Sequence, residues 1–348
     1  MVTVRPMAAA DAPAWDAFVA AHPSGTFCHR ATWAPVIERA FGHTPLYAVA
    51  EQDGAMVGVL PLVHVKTRLF GNSLMSTPFC VYGGPLVTDP AVLPALDTHV
   101  AQLMARTGAR VTEFRLRDTV EGLPDDAWPT RADLYVTFRK PIGPDDDANL
   151  KAIPRKQRAM VRKGIDRGLV PHVGPATDGL HAIYAESVRN LGTPVFSRRY
   201  FRILAEAFGP DQDVVTITDD GRPVAAVLSF YDRARGEVLP YYGGGTAAAR
   251  EAHAADYMYW AVMRHAAAQG ITLFDFGRSK AGTGAFAFKK NWGFVPEPLH
   301  YRYRLAAGAR IPDHNPLNPK YRLMIAAWKR LPLPVANLIG PPIVRGIG

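Results

Sequence analysis

An ordered internal repeat constrains this 348-residue chain more than any other feature. Phe27-x5-Trp33, leading to Ala40-Phe41-Gly42, returns 167 to 169 residues later as Phe196-x3-Tyr200 leading to Ala207-Phe208-Gly209. Tyr47-Ala-Val-Ala, Asp53-Gly54 and Val57-Gly-Val-Leu read as strand, two-residue turn and strand. Val214 to Thr218, Asp220-Gly221 and Val224 to Phe230 read the same way. Tyr82-Gly83-Gly84 recurs 160 residues on as Tyr242-Gly243-Gly244, and Gly108 to Phe114 recurs 162 residues on as Gly270 to Phe276. Landmarks kept in one order imply a single supersecondary unit used twice.

Each copy holds a helix, a hairpin closing on a Tyr-Gly-Gly strand end, a second helix (about 91–106 and 255–269) and a further strand (111–116 and 272–276). That order predicts a mixed α/β fold in two tandem domains, 1–140 and 141–310, with a basic amphipathic tail over 311–348. Lys140-Pro-Ile-Gly-Pro-Asp-Asp-Asp reads as the linker, its acids capping the helix that follows.

Composition excludes several classes. With 48% hydrophobic and 20% charged residues, and 30 Gly against 30 Pro, the chain is neither collagen-like nor disordered. Two cysteines, Cys28 and Cys80, allow no disulfide framework or cysteine-rich zinc site, so a reducing compartment is expected. Met1 to Pro6 reads as a short strand without the apolar core of a secretory signal, and no apolar run approaches the ~20 residues that cross a bilayer. A net charge of +9 favours anionic partners. Without His-Glu-x-x-His, Gly-x-Ser-x-Gly or Gly-x4-Gly-Lys-Ser/Thr, no metal site, serine triad or P-loop is expected, and His43 and His64 read as structural.

Three clusters could carry chemistry. Between Arg155 and Arg167 six bases stand against Asp166 alone. On a helix Arg155, Arg158 and Arg162 share one line, Lys156, Lys163 and Arg167 the next, and Met160, Val161 and Ile165 the other side. This is either a solvated face or a binding face for phosphate or RNA. The second cluster is Asp275-Phe-Gly-Arg-Ser-Lys-Ala-Gly-Thr-Gly and the following Phe286-Ala-Phe-Lys-Lys-Asn-Trp-Gly. It places Arg278, Ser279, Lys280, Lys289 and Lys290 at a strand end, where α/β units build sites, and Gly282 and Gly284 would permit close backbone approach. The repeat-one counterpart, Glu113-Phe-Arg-Leu-Arg-Asp, lacks those glycines and lysines, which puts the site in repeat two. The third cluster is the Tyr-Gly-Gly pair: Tyr82, with Lys66 nearby in repeat one, and Tyr241-Tyr242, each either ligand contact or core.

The tandem acyltransferase-like (GNAT-type) repeats, the basic helix opening repeat two, and Asp275-Phe-Gly-Arg-Ser followed by Phe288-Lys-Lys-x-Trp-Gly resemble the Fem-type peptidyltransferases. The ending Asn315-Pro-Leu-Asn-Pro-Lys-Tyr-Arg, Trp328-Lys-Arg-Leu-Pro-Leu-Pro and Gly340-Pro-Pro looks like the FemAB-related proteins associated with the exosortase/PEP-CTERM system. The resemblance implies two GNAT-like acyl-CoA N-acyltransferase domains with a helical tail. It implies transfer of an acyl or aminoacyl group to an amine on a peptidoglycan- or exopolysaccharide-related precursor, lipid-linked or nucleotide-linked. Aminoacyl-tRNA or acyl-CoA would be the donor, with no tightly bound cofactor, no DNA, and a cytoplasmic place at or near the inner membrane. By its match to the Phe-Lys-Lys motif, Lys289 would contact a phosphate or carbonyl. Asp275 would orient the amine or take its proton, or else satisfy backbone groups. The long coiled-coil insertion of some Fem proteins is absent, only 145–167 standing in its place. The Arg/Gln-x-x-Gly-x-Gly/Ala pyrophosphate loop of acetyl-CoA enzymes is not matched by Gly243-Gly-Gly-Thr-Ala-Ala-Ala-Arg. A CoA-dependent N-acyltransferase and a non-catalytic membrane-surface adaptor remain alternatives.

In the tail, Leu323, Met324, Ile325, Trp328, Leu331, Leu338, Ile339, Ile343 and Val344 are interspersed with Lys320, Arg322, Lys329, Arg330 and Arg345. Prolines 332, 334, 341 and 342 predict one helix only, about 320–331, docked on the protein or lying on a membrane surface.

Overall fold

A computed structural model describes residues 1–68, 70–175, 177–312 and 319–347, the side chains of 319–322 excepted. Residues 315–318 of the Asn315 motif lie outside the described residues. The chain forms two compact units, Met1–Tyr135 with Pro298–Asp313 and Gly346–Gly348, and Val136–Glu297 with His314–Arg345.

The fold is mixed α/β, and most repeated landmarks do the same physical work in each unit; the exception is Tyr-Gly-Gly, which lies within strand Glu237–Gly245 in the second unit, whereas Tyr82-Gly83-Gly84 lies in no strand. Asp53 and Gly54 have φ of 52° and 80°, Asp220 and Gly221 of 47° and 75°. Two successive left-handed residues give the tight turn whose twist suits antiparallel strands. They join Ala48–Gln52 to Ala55–Leu60 and Gln212–Asp219 to Arg222–Asp232. Helices Trp33–Phe41 and Arg198–Phe208 both stop at the repeated glycine, Gly42 and Gly209, each at positive φ. Phe27 meets Trp33 edge-on at 6.2 Å, and Phe196 meets Tyr200 at 5.0 Å. Helices Leu93–Thr107 and Ala254–Ala268 feed strands Val111–Leu116 and Leu273–Asp275, which run parallel to Gly71–Ser76 and Glu237–Gly245.

In the first unit Pro61, lacking an N–H, separates Ala55–Leu60 from Leu62–Thr67, and the chain passes there from a four-stranded to a six-stranded sheet. Leu60, Leu62, Leu74, Leu96, Val100 and Leu103 pack around Phe114, which stacks on Trp128 at 4.3 Å.

The second unit has an eight-stranded sheet in the order 170–174, 212–219, 222–232, 237–245, 273–275, 135–141, 279–280, with 296–298 paired to 135–141. Tyr135–Pro141 thus runs through what reads as the approach to a linker and pairs with Leu273–Asp275. His300–Leu305, from beyond the second repeat, pairs with Val111–Leu116 in the first unit. Alternation marks both segments as strands but says nothing about distant partners. The acid run does act as a cap: the Asp145 carboxylate accepts from the amides of Asp147 and Ala148 and opens helix Asp146–Lys151.

The tail corrects the proline argument. It forms two helices, Pro319–Lys329 and Leu333–Val344, both packed on helix Thr177–Leu191. Pro334 sits in the first turn, where an N–H has no helical acceptor. Pro341 and Pro342 fall in the last turn and forfeit only their own backbone bonds.

Strand 237–245 owes its closeness to helix 177–191 to its terminal glycines. A Cβ on Gly244 would stand 2.4 Å from the Ser187 Cβ. Gly244→Ala is therefore expected to cost about 1–3 kcal/mol in denaturant unfolding, with recovery in the Gly244→Ala/Ser187→Gly pair. An unchanged midpoint for the single variant would contradict this packing.

Candidate active site

Two strands that part frame the candidate site. Strands 237–245 and 273–275 are in register only at Glu237 with Leu273 and Val238 with Phe274. From Leu239 onward the first has no partner in the second, while its other edge stays paired with strand 222–232. A bulge sharpens the divergence: Leu228 faces Tyr242 and Ser229 faces Pro240, so Tyr241 is the extra residue. The opening lies between half-exposed Tyr241 and Gly243 and the loop that follows Asp275.

Asp275 is fully buried. It accepts the Gly277 N–H at 2.7 Å and the Thr137 hydroxyl at 3.4 Å, and lies 3.6 Å from Arg139 Nε. These are the contacts of a carboxylate that satisfies groups at a strand end, and no face of it is open to a substrate amine. Arg139 also donates to Glu237 at 2.5 Å. One guanidinium thus holds a carboxylate on each of the two parting strands, which makes burial of both charges tolerable.

Lys289 sits near the end of helix Gly284–Asn291, which Thr283 caps by accepting the Phe286 amide and donating to the Lys280 carbonyl at 2.8 Å. Its Nζ donates to the carbonyls of Phe276, Gly277 and Arg278 at 2.6, 3.0 and 3.1 Å, and lies over the rings of Phe138 and Phe276. Burial pulls this amine from its ordinary 10.5 down to about 7; Asp275 pulls upward and Arg278 adds to the fall. The carbonyls that Lys289 meets are the chain's own, and the loop bearing Arg278 is what it fixes.

Around this anchor Arg278 and Lys280 are half-exposed and Lys290 is exposed. Ser279 is buried, its hydroxyl without a partner among the described residues. Tyr242 is core: its hydroxyl lies 2.9 Å from that of Tyr200, rings of Tyr184, Phe196 and Phe201 surround it, and burial raises its phenol well above 10. Tyr241 is half-buried against Phe230.

Helix Arg155–Asp166 exposes Arg155, Lys156, Arg162 and Lys163, while half-buried Arg158 donates to the Lys151 carbonyl at 3.1 Å. Its inner face is Gln157, Val161 and Gly164, and Gln157 donates to Asp256. Ile165, expected inward, is exposed because the helix rests on Tyr257 through Gly164, where a Cβ would come within 2.7 Å. In the first unit Tyr82 is buried and Lys66 exposed. Lys66 pairs with Asn72, four ladder positions or about 13 Å from the Leu62–Ser76 end where Tyr82-Gly83 lies, so these two do not meet.

Sequence reasoning missed Arg139, Glu237 and Thr137. A charge alternating with Phe138 inside a strand pattern was the available signal, since a buried arginine needs partners.

Residues 155–290 match the family described as acetyltransferase (GNAT) domain. Among solved structures the chain is similar to FemX, with 16% identity, 87% of this chain and 97% of that one covered, and a TM-score of 0.69. A tandem GNAT protein from the clavulanic acid biosynthesis pathway, solved without AcCoA, matches at 15% identity, with 89% and 100% covered and a TM-score of 0.58. L-PGS from Bacillus licheniformis matches at 13%, with 97% and 96% covered and a TM-score of 0.57. No curated protein matches the sequence. The fold is of the tandem GNAT type, and its GNAT domain makes the protein an acyltransferase.

Two outcomes are expected. Arg139→Met strands two buried carboxylates and should cost roughly 3–5 kcal/mol in denaturant unfolding; a loss under 1 kcal/mol would contradict the clamp. For Lys289 the folded value lies below the unfolded one, so between about pH 7 and 10.5 the unfolded chain binds more protons. Its contribution to stability therefore rises with pH across that window, by at most about 1.4 kcal/mol per unit. Lys289→Met should flatten that rise, and a variant curve parallel to the parent's would contradict the burial.

Proposed function

We propose that the second unit transfers an acyl or aminoacyl group from an activated donor to an amine on a cell-envelope precursor. One observation carries this reading: the opening between strands 237–245 and 273–275, with the edge of the first strand that 273–275 leaves unpaired on one side and the loop after Asp275, which bears half-exposed Arg278, on the other. An acyl carbonyl laid along residues 239–245 meets N–H donors where negative charge develops. Phosphates of the donor, or of a nucleotide-linked acceptor, meet the loop cations. The amine attacks the carbonyl carbon, the ester or thioester bond breaks, and the amine proton leaves with the departing group or to solvent. Orientation supplies most of the rate, so no buried base is required. Lys289 serves as a positioning residue that sets the 276–278 carbonyls and the cations beside them.

Likeness to FemX and L-PGS supports an aminoacyl group and an envelope acceptor. In this reading the acceptor is a peptidoglycan-related precursor or, from the tail motif alone, an exopolysaccharide-related one of the exosortase-associated kind. Aminoacyl-tRNA is the donor in this reading, its phosphates lying on Arg155, Lys156, Arg162 and Lys163. A second reading, an acyl-CoA donor, is favoured by the GNAT match.

Arg278→Ala should lower kcat/KM about 10- to 100-fold with an unchanged melting temperature, measured by transfer from both donor classes. Parental rates from both would move the site elsewhere. Arg155→Ala/Arg162→Ala/Lys163→Ala should weaken tRNA binding and reduce the slope of log affinity against log salt by about 2–3. An unchanged slope would leave the acyl-CoA reading.

A further inference from the structure

The outer face of the tail is a feature that the proposed chemistry leaves unused. From His314 onward the sequence has five bases, Lys320, Arg322, Lys329, Arg330 and Arg345, and no acid. Helix 319–329 turns Ile325 and Trp328 inward, leaving Leu323 81% and Met324 65% exposed. Helix 333–344 buries Ala336, Gly340 and Val344, spaced four apart, and on its opposite side leaves Val335, Leu338 and Ile339 exposed, Leu338 to 76%. Close contacts mark the inner faces: a Cβ on Gly192 would stand 2.5 Å from Ile325, and one on Gly340 2.9 Å from the Val195 nitrogen. The tail docks through one face and keeps a second apolar face outside.

We propose that this outer face is a peripheral attachment site for an anionic phospholipid surface. Charge decides the occupant. Exposed apolar residues in a segment whose sequence carries bases and no acid suit an interface of acyl chains below and phosphates above. A second copy would bring the same cations against one another. Helices of 11 and 12 residues fall well short of the ~20 that span a bilayer, so they lie in its surface. Each base near an anionic leaflet strengthens binding about fivefold, and the buried leucines add an attraction that salt does not screen. The inference stands apart from the proposed chemistry and needs no substrate.

Cosedimentation of the full chain with phosphatidylcholine vesicles, alone or carrying about a quarter phosphatidylglycerol, tests it. The chain should bind the anionic vesicles at least about tenfold more tightly, and binding should weaken as salt rises. Leu323→Glu/Leu338→Glu, and separately Arg330→Glu, should each lower that binding, with thermal unfolding unchanged because all three positions are exposed. Equal sedimentation with both vesicle types, or of parent and variants, would overturn the proposal. So would a concentration-dependent dimer that the leucine substitutions dissolve, since the face would then join two copies.

Discussion

Arg139 sets where the second sheet opens. Strand 135–141 enters between 273–275 and 279–280, and its guanidinium meets Asp275 on one strand and Glu237 on the other. A buried carboxylate without a cation costs several kcal/mol, so the two strands are held together at that level. Beyond it nothing pairs them, and the bulge at Tyr241 turns strand 237–245 away. Cohesion at one end and divergence at the other follow from the same few residues.

The loop at the mouth is anchored by a second economy of charge. Lys289 gives three hydrogen bonds to successive carbonyls, so residues 276–278 cannot relax toward solvent without abandoning a buried amine. Thr283 fixes the helix that carries Lys289 by bonding both into the helix and back to Lys280. Cations on a loop held this way lose little conformational freedom on meeting a phosphate. The proposed transfer asks the same thing of the candidate site: orientation first, with little acid or base catalysis.

Local order made much of this legible in the sequence. The Asp-Gly turns, the helix-ending glycines and the repeated aromatic pairs are decided by neighbours a few residues away, and the fold class followed from their order. The loop after Asp275 stood out because glycines and bases gathered at a strand end. What depended on distant partners could not be read. Strands 135–141 and 300–305 look like any alternating segments, and their places in the two sheets are set by pairing across more than a hundred residues. Lys289 read as a contact for substrate because a lysine in a motif carries no sign of burial. Ile165 read as inward because helical periodicity gives a face but not the glycine on which the helix pivots.

The central claim is that an activated acyl donor lies in the opening between strands 237–245 and 273–275. Hydrogen exchange of the full chain, alone and with saturating aminoacyl-tRNA or acetyl-CoA, tests it most directly, because exposed strand amides exchange fast until something covers them. The account predicts slowed exchange in residues 239–245 and 276–283 with one of the two donors. Slowing confined to other segments, or none with either donor, would contradict it.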